Sequence, residues 1–87
     1  MSEIWKFPLN FGSNNDCTTI RVAGPVEVSG VTIQRGEMCV WLAKGEGPEV
    51  TEQFRVVGTG HKFKEGWHPI GMILDGFFVW HVLRFRP

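Results

Sequence analysis

The chain of 87 residues has no tyrosine, no net charge and no long apolar run. Without tyrosine, no phenol is available for acid, base or hydrogen-bonding work. Nine basic and nine acidic side chains cancel, so no global field attracts duplex nucleic acid. No apolar stretch approaches the roughly 18 to 20 residues of a membrane span, and the start of the sequence lacks a secretion signal. We therefore expect a cytoplasmic protein that binds neither a membrane nor duplex nucleic acid.

Patterns that indicate metal binding or catalysis are also missing. Cys17 and Cys39 form no C-x-x-C motif, which favours two reduced, half-buried thiols. The spacing of His61, His68 and His81 matches no zinc pattern. There is no G-x-S-x-G, and the carboxylates are scattered on polar faces. We predict no metal, no cofactor and no enzymatic activity.

Alternation with a period of two dominates what is present, and no window sustains the spacing of an amphipathic helix. We predict one domain, residues 1–87, that is all-β with at most one short helical turn, between Lys62 and Gly66. A small antiparallel sandwich and a partly open barrel both fit this pattern.

Several residues specify details of the sheets. Pro8 places the first strand, Ile4 to Leu9, at a sheet edge. The apolar residues stand at even positions before Ser29-Gly30 and at odd positions after it, which predicts a β-bulge there. Arg35-Gly36 and Asp75-Gly76 predict tight hairpin turns. The last strand, Phe77 to Phe85, is apolar on both faces, so it lies centrally or meets a partner chain.

The segment Gly58-Thr59-Gly60-His61-Lys62 is the most distinctive part of the chain. Two glycines, a hydroxyl, an imidazole and an ammonium together are the parts of an anion-binding nest. An ordinary turn, whose glycines supply positive φ, explains the glycines equally well. Arg55 precedes this segment and could hold a phosphate with its guanidinium, or could be a solvated surface residue.

Aromatic side chains and the third histidine allow two interpretations each. Trp67, just beyond the loop, could stack on a planar ligand or begin a strand in the core. Trp5, Trp41 and Trp80 lie in alternating apolar patterns that favour core or interface packing. For His81 we favour a hydrogen-bonded core histidine.

The chain resembles a group of small proteins encoded by bacteriophages and prophages. The segments that carry the resemblance are Ile4-Trp5-Lys6-Phe7-Pro8-Leu9, Phe54-x-Val56-x-Gly58-Thr59-Gly60-His61, Ile70-Gly71 and Val79-Trp80-His81-Val82. This group is similar to the anti-CBASS nucleotide sponges of phages, which sequester a cyclic dinucleotide immune signal such as 3′,3′-cGAMP. Met72 and Leu83 depart from the group, where a threonine and an aromatic residue are usual, and the first departure puts the preferred nucleotide in question.

The resemblance implies a β-rich homo-oligomer, a dimer or tetramer, that holds a cyclic dinucleotide near subunit interfaces without cleaving it in an infected bacterial host cell. Such a sponge needs stacking surfaces for the bases and charged groups for the phosphates, and it needs no catalytic residue. The candidate ligand-binding residues are Gly58, Thr59, Gly60, His61, Lys62, Arg55 and Trp67. Two alternatives stay open: an inhibitor that acts by protein–protein contact, and a small nucleotide hydrolase with His61 as the base.

Overall fold

A computed structural model describes residues 1–11 and 17–87 of the chain. The described residues form seven strands in two antiparallel sheets, without a helix. The prediction of an all-β fold is confirmed, and of its two forms the structure is a small sandwich, not a barrel. No short helical turn lies between Lys62 and Gly66. The sequence Gly-Ser-Asn-Asn-Asp at 12–16 predicts a polar loop after the first strand, and these residues lie outside the described part of the chain.

One sheet has three strands in the order β1-β4-β3, and the other has four in the order β2-β5-β7-β6. The strands are β1 (Glu3–Pro8), β2 (Cys17–Ala23), β3 (Val26–Gln34), β4 (Glu37–Lys44), β5 (Glu49–Gly58), β6 (Trp67–Asp75) and β7 (Phe78–Phe85). β1 is an edge strand, as Pro8 predicts, and the doubly apolar β7 lies centrally between β5 and β6.

Alternation along each strand sends one set of apolar side chains between the sheets. On β2 these are Thr18, Ile20 and Val22, all buried, while Thr19 and Arg21 between them are exposed. The core between the sheets comprises Leu9, Ile20, Val22, Met38, Val40, Leu42, Phe54, Val56, Ile73 and Val82. Burial of these side chains stabilises the fold by roughly 1.5 to 3 kcal/mol for each large one.

Turns and irregularities follow the sequence closely. The pairing register of β3 with β4 shifts between Val28 and Gly30, which confirms the predicted bulge at Ser29-Gly30. Arg35 and Gly36 have φ of 51° and 78°, so both central residues of that hairpin are left-handed. The last hairpin is shifted by one residue from the predicted Asp75-Gly76 turn. Asp75 pairs with Phe78, so the central residues are Gly76, with φ 59°, and Phe77. A positive φ at the first central position alone is the type II′ pattern, which glycine fits there.

The two cysteines and Trp41 are buried to different degrees. Cys39 is fully buried and Cys17 is half-buried, and no disulfide joins them. Burial, with Glu37 nearby, raises the pKa of the Cys39 thiol, although Lys6 opposes the shift. Trp41 is half-buried and donates from Nε1 to Thr32 Oγ1 at 2.8 Å.

No helix in the described part of the chain is long and apolar enough to cross a membrane.

One carboxylate contradicts the prediction that all acidic groups are solvated. Glu52 points into the sandwich and is 3% exposed. Its Oε1 accepts from Arg84 Nε at 2.7 Å, and its Oε2 lies 3.4 Å from a terminal nitrogen of Arg86. Arg84 also donates to the carbonyl of Val26 at 3.3 Å. Because Val26 belongs to the other sheet, this ion pair ties the two sheets together.

Replacing Glu52 should therefore destabilise the protein strongly. Glu52→Gln leaves the guanidinium of Arg84, whose side chain is only 14% exposed, without its counter-charge, and we expect the free energy of unfolding in urea to fall by about 3 kcal/mol. Arg86→Gln is the matched control, because the Arg86 side chain is half exposed and exposed pairs contribute less than about 1 kcal/mol. Equal losses in the two variants would contradict the assignment.

Candidate functional site

The connection from β5 to β6 shapes the candidate site. Both strands pair antiparallel with β7, so they run parallel to each other on either side of it. The residues between them, 59–66, must therefore cross β7, and we call this segment the strap. Parallel neighbours joined in this way usually need about a dozen residues or more, often a helix, so the strap is a short crossover.

The strap covers the face of the four-stranded sheet that points away from the core. Leu83 lies on that outer face, opposite Arg55 and Pro69, yet it is fully buried. Phe63 of the strap lines a pocket together with Leu83 and Pro69. At the end of the strap, a Cβ on Gly66 would lie 2.7 Å from the ring of Phe85, which shows how closely the backbone approaches the sheet. The strap thus shields an apolar surface that would otherwise face water.

The strap begins in a tight turn formed by Gly58-Thr59-Gly60-His61. The N–H of His61 donates to the carbonyl of Gly58 at 3.2 Å, and Gly60 has φ 87°. A single left-handed residue in the second central position is the signature of a type II turn, which requires glycine there. The prediction of an ordinary turn is confirmed for Gly60.

A side-chain contact inside this turn fixes the state of His61. The N–H of Gly58 donates to Nδ1 of His61 at 3.2 Å, so Nδ1 carries no proton in this arrangement. The proton of the neutral ring is therefore on Nε2, where it can donate to a ligand. A Cβ on Gly58 would come within 3.1 Å of the imidazole, so glycine is what lets the ring pack there. The amides of Thr59 and Gly60 stay outside the turn's own hydrogen bonds.

The hydrogen bond predicted for His81 is confirmed, but its predicted place in the core is wrong. His81 is half-buried on the outer face rather than in the core, and its Nε2 lies 2.9 Å from Oγ1 of Thr59. Thr59 Oγ1 also lies 3.5 Å from the carbonyl of Val79. Period two alone places His81 on the same face of β7 as Val79 and Leu83, but only the pairing with β5 and the crossing of the strap bring Thr59 onto it.

An aromatic cluster adjoins the turn. Phe78 is nearly parallel to Trp80, with ring centroids 5.9 Å apart and an angle of 21°, and Phe11 meets Trp80 edge-on at 4.6 Å. Phe78 is largely exposed, and Phe77 beside it is fully exposed. A pocket of about 480 Å³ lies between these rings and the turn, within the range of small-molecule sites; its lining is Gly58, Thr59, His61, Phe77, Phe78, Val79 and Trp80.

A smaller pocket, of about 260 Å³, lies on the other side of the turn beneath the strap. Val57, Phe63, Pro69 and Leu83 make its walls apolar, and Thr59 with the two histidines makes one end polar. The turn and His61 therefore separate two recesses, and both recesses reach the same hydrogen-bonding groups.

Arg55 and Trp67 lie apart from the turn. The guanidinium carbon of Arg55 is 5.0 Å from the centre of the Trp67 ring, and Trp67 also packs against Phe85 at 5.2 Å. Neither residue lines the two pockets beside His61. Of the predicted site residues, the structure thus brings together Gly58, Thr59, Gly60 and His61, leaves Lys62 exposed beside them on the strap, and places the Arg55–Trp67 pair near the strap's far end.

Among residues 1–11 and 17–87, no group of three or more histidine, cysteine or acidic side chains is arranged to hold a metal ion. The groups near the turn are hydrogen-bond donors and acceptors, aromatic rings and exposed lysines, which suit an organic anion with planar rings.

The packing of His61 against Gly58 predicts its tautomer. In the native protein, long-range ¹H–¹⁵N correlation spectra should show Nδ1 unprotonated and Nε2 protonated for the neutral ring. Gly58→Ala should displace the imidazole, because its Cβ would lie 3.1 Å from Cε1, and the tautomers should then mix. Gly30→Ala is the control, because Gly30 is remote from the turn, has open space around it and has no positive φ. A native ring protonated on Nδ1 would refute the contact.

Comparison with known proteins identifies a family without a known activity. No curated protein and no solved structure matches the chain. A family model described as a domain of unknown function, DUF7352, matches residues 1–86. Since the match spans nearly all of the 87 residues, the chain belongs to the DUF7352 family.

Proposed function

We propose that this protein is a binding protein that sequesters a cyclic dinucleotide, such as 3′,3′-cGAMP, without cleaving it. The observation that carries the proposal is the adjacency of an exposed aromatic surface, Phe78 on Trp80, to the donors of the Gly58–His61 turn. A base and its phosphate are recognised by these two kinds of group. The resemblance to phage sponges supports the same ligand and a role in countering bacterial defence.

Stacking supplies the first part of the binding energy. Phe78 is 62% exposed and its ring already lies over Trp80, so a purine can extend the stack with little reorganisation. Base–aromatic stacking contributes about 1 to 3 kcal/mol for each base. Trp67, the residue expected from sequence, already packs against Arg55 and Phe85, so the proposal assigns stacking to Phe78 and Trp80 instead.

Hydrogen bonds and charge supply the second part. The Nε2–H of His61 and the amide of Thr59 are donors at the edge of the pocket, and the amide of Gly60 borders the smaller pocket on the other side of the turn. Lys62 follows on the exposed strap and adds a positive charge for a phosphate oxygen. Binding should weaken as salt rises, because exposed charges are screened over about 8 to 10 Å at physiological ionic strength.

A second copy of the chain would complete the recognition of a ligand with two bases. One chain offers one exposed aromatic platform beside one turn, whereas sub-micromolar capture needs roughly 8 to 12 kcal/mol. The platform lies on the exposed apolar hairpin between β6 and β7. We call its exposed side chains the hairpin surface: Met72 and Leu74 on the outer face, Phe77 at the tip and Phe78 on the inner face. Such a surface on so short a chain favours self-association, with two hairpins facing each other across a twofold axis.

The hairpin surface also favours a second candidate function. Exposed apolar patches mark protein–protein contacts in general, so an inhibitor could cover a host protein with this hairpin instead of another copy of itself. The nucleotide pocket would then be unused, and ligand binding separates the two functions.

Binding measurements test the proposal directly. Calorimetry and thermal shift with 3′,3′-cGAMP should show stabilisation, and chromatography should recover the ligand intact. Phe78→Ala should lose about 1 to 3 kcal/mol of binding free energy, because it removes one stacking face. His61→Ala should weaken binding about tenfold, in line with one hydrogen bond to a charged group. Both variants should keep the native stability, since both side chains are exposed.

Matched controls and contrary results sharpen this test. Trp67→Ala and His68→Ala remove an aromatic ring and an imidazole at the far end of the strap and should bind normally. A loss with Trp67→Ala equal to that with Phe78→Ala would return the stacking role to Trp67. Conversion of the nucleotide would indicate an enzyme, with the Thr59–His81 pair as its reacting groups. The absence of a thermal shift with any nucleotide would favour the alternative function, an inhibitor that acts by protein–protein contact.

Self-association has its own measurement. Light scattering at micromolar concentration should give a mass at least twice that of the 9.9 kDa chain. Phe77→Glu places a charge on the tip of the hairpin and should give the monomer mass without unfolding, since the Phe77 side chain is fully exposed. Val50→Glu is the control, because Val50 is an exposed apolar residue outside the hairpin surface. A monomeric native protein would remove the dimer from the proposal.

A further inference from the structure

Another recess, apart from the two beside His61, lies between two edge strands that the sheets leave unpaired on one side of the sandwich. β1 is an edge of the three-stranded sheet and β2 is an edge of the four-stranded sheet. Between them is a pocket of about 280 Å³, close to the lower end of the range for small-molecule sites. Its lining is Trp5, Phe7, Arg21, Val22, Ala23, Lys44 and Glu49.

Trp5 is the feature that needs an explanation. It pairs with the fully buried Leu42 and shares the inward parity of Phe7, so its position in the strand predicts a core residue. The indole is nevertheless 50% exposed. Because the fold leaves it at the mouth of the pocket, Trp5 presents an aromatic surface to solvent beside the apolar walls of Phe7 and Val22. A planar ring that entered here would cover apolar surface on several sides.

Positive charge stands at the same mouth. The ammonium of Lys44 lies 5.7 Å from the centre of the Trp5 ring, and Arg21 of β2 lines the pocket as well. Glu49 also lines it, and Glu3 lies 3.9 Å from Lys44. An anion can therefore be received by the guanidinium of Arg21, which is exposed and can bind two oxygens at once. Arg21 is therefore the cation that we expect to contribute most to binding of the anion.

We propose that this pocket binds a small planar aromatic anion, an aryl phosphate or aryl carboxylate, with its ring against Trp5 and its anionic group on Arg21 and Lys44. The site is separate from the one beside His61. Glu49 begins β5 and Gly58 ends it, and a strand of that length spans about 30 Å. The proposal therefore does not depend on the nucleotide function.

Fluorine NMR can observe the site without a known natural ligand. Protein labelled with 5-fluorotryptophan gives one resonance for each of the four indoles, and Trp5→Phe assigns that of Trp5. Phenyl phosphate is the probe, with benzyl alcohol and inorganic phosphate as its neutral and ringless counterparts. We expect phenyl phosphate alone to shift the Trp5 resonance saturably, with a dissociation constant on the order of 1 mM for so small a ligand.

Charge variants then test the recognition of the anion. Arg21→Gln and Lys44→Gln should each weaken phenyl phosphate binding about threefold, as expected for partly exposed charged contacts. Arg35→Gln is the matched control, because Arg35 lies on the β3–β4 turn outside this pocket. The unchanged resonances of the other tryptophans report that each variant is folded.

Three results would overturn the proposal. The first is a Trp5 resonance that does not saturate up to the solubility limit of phenyl phosphate. The second is an equal response to benzyl alcohol or to inorganic phosphate, or an equal effect of Arg35→Gln. The third is a saturable shift at Trp80 alone, which would place the aromatic anion in the pocket beside His61.

Discussion

The fold depends on covering both faces of a central strand that is apolar on both. The inner face of β7 packs Val82 into the sandwich, and the outer face would expose Leu83 if nothing crossed it. A third layer of sheet or a helix would normally provide that cover in a larger protein. Here the eight residues of the strap do so. The route of the strap then determines which polar groups meet at its beginning.

The candidate site follows from that route. To leave β5 and turn across β7, the chain needs a reversal at once, and the type II turn with Gly60 provides it. The same turn sets His61 on the backbone of Gly58 and brings Thr59 to His81. These contacts orient donors toward an open pocket, which is what a binding protein requires. A hydroxyl beside an imidazole resembles part of a catalytic pair, but a third group that orients the base is absent among the described residues.

A small sandwich also has little material with which to hold its two sheets together. The Glu52 carboxylate links β5 and β7 through Arg84, and Arg84 reaches the carbonyl of Val26 in the other sheet. Two unpaired edge strands remain on the opposite side, and the pocket at Trp5 lies between them. This protein therefore exposes aromatic and charged groups together at the ends and edges of the sandwich.

By itself, the sequence determined the elements with local causes. Period-two alternation predicted the strands, Gly30 the bulge, and Arg35-Gly36 the hairpin, because each depends on neighbouring residues and backbone sterics. Only the tertiary structure decided which groups meet. Whether Glu52 is solvated or buried and whether His81 is core or site depend on which strands become neighbours. Those pairings join residues 22 to 32 positions apart, and they are selected by the packing of the whole chain, which no local pattern specifies.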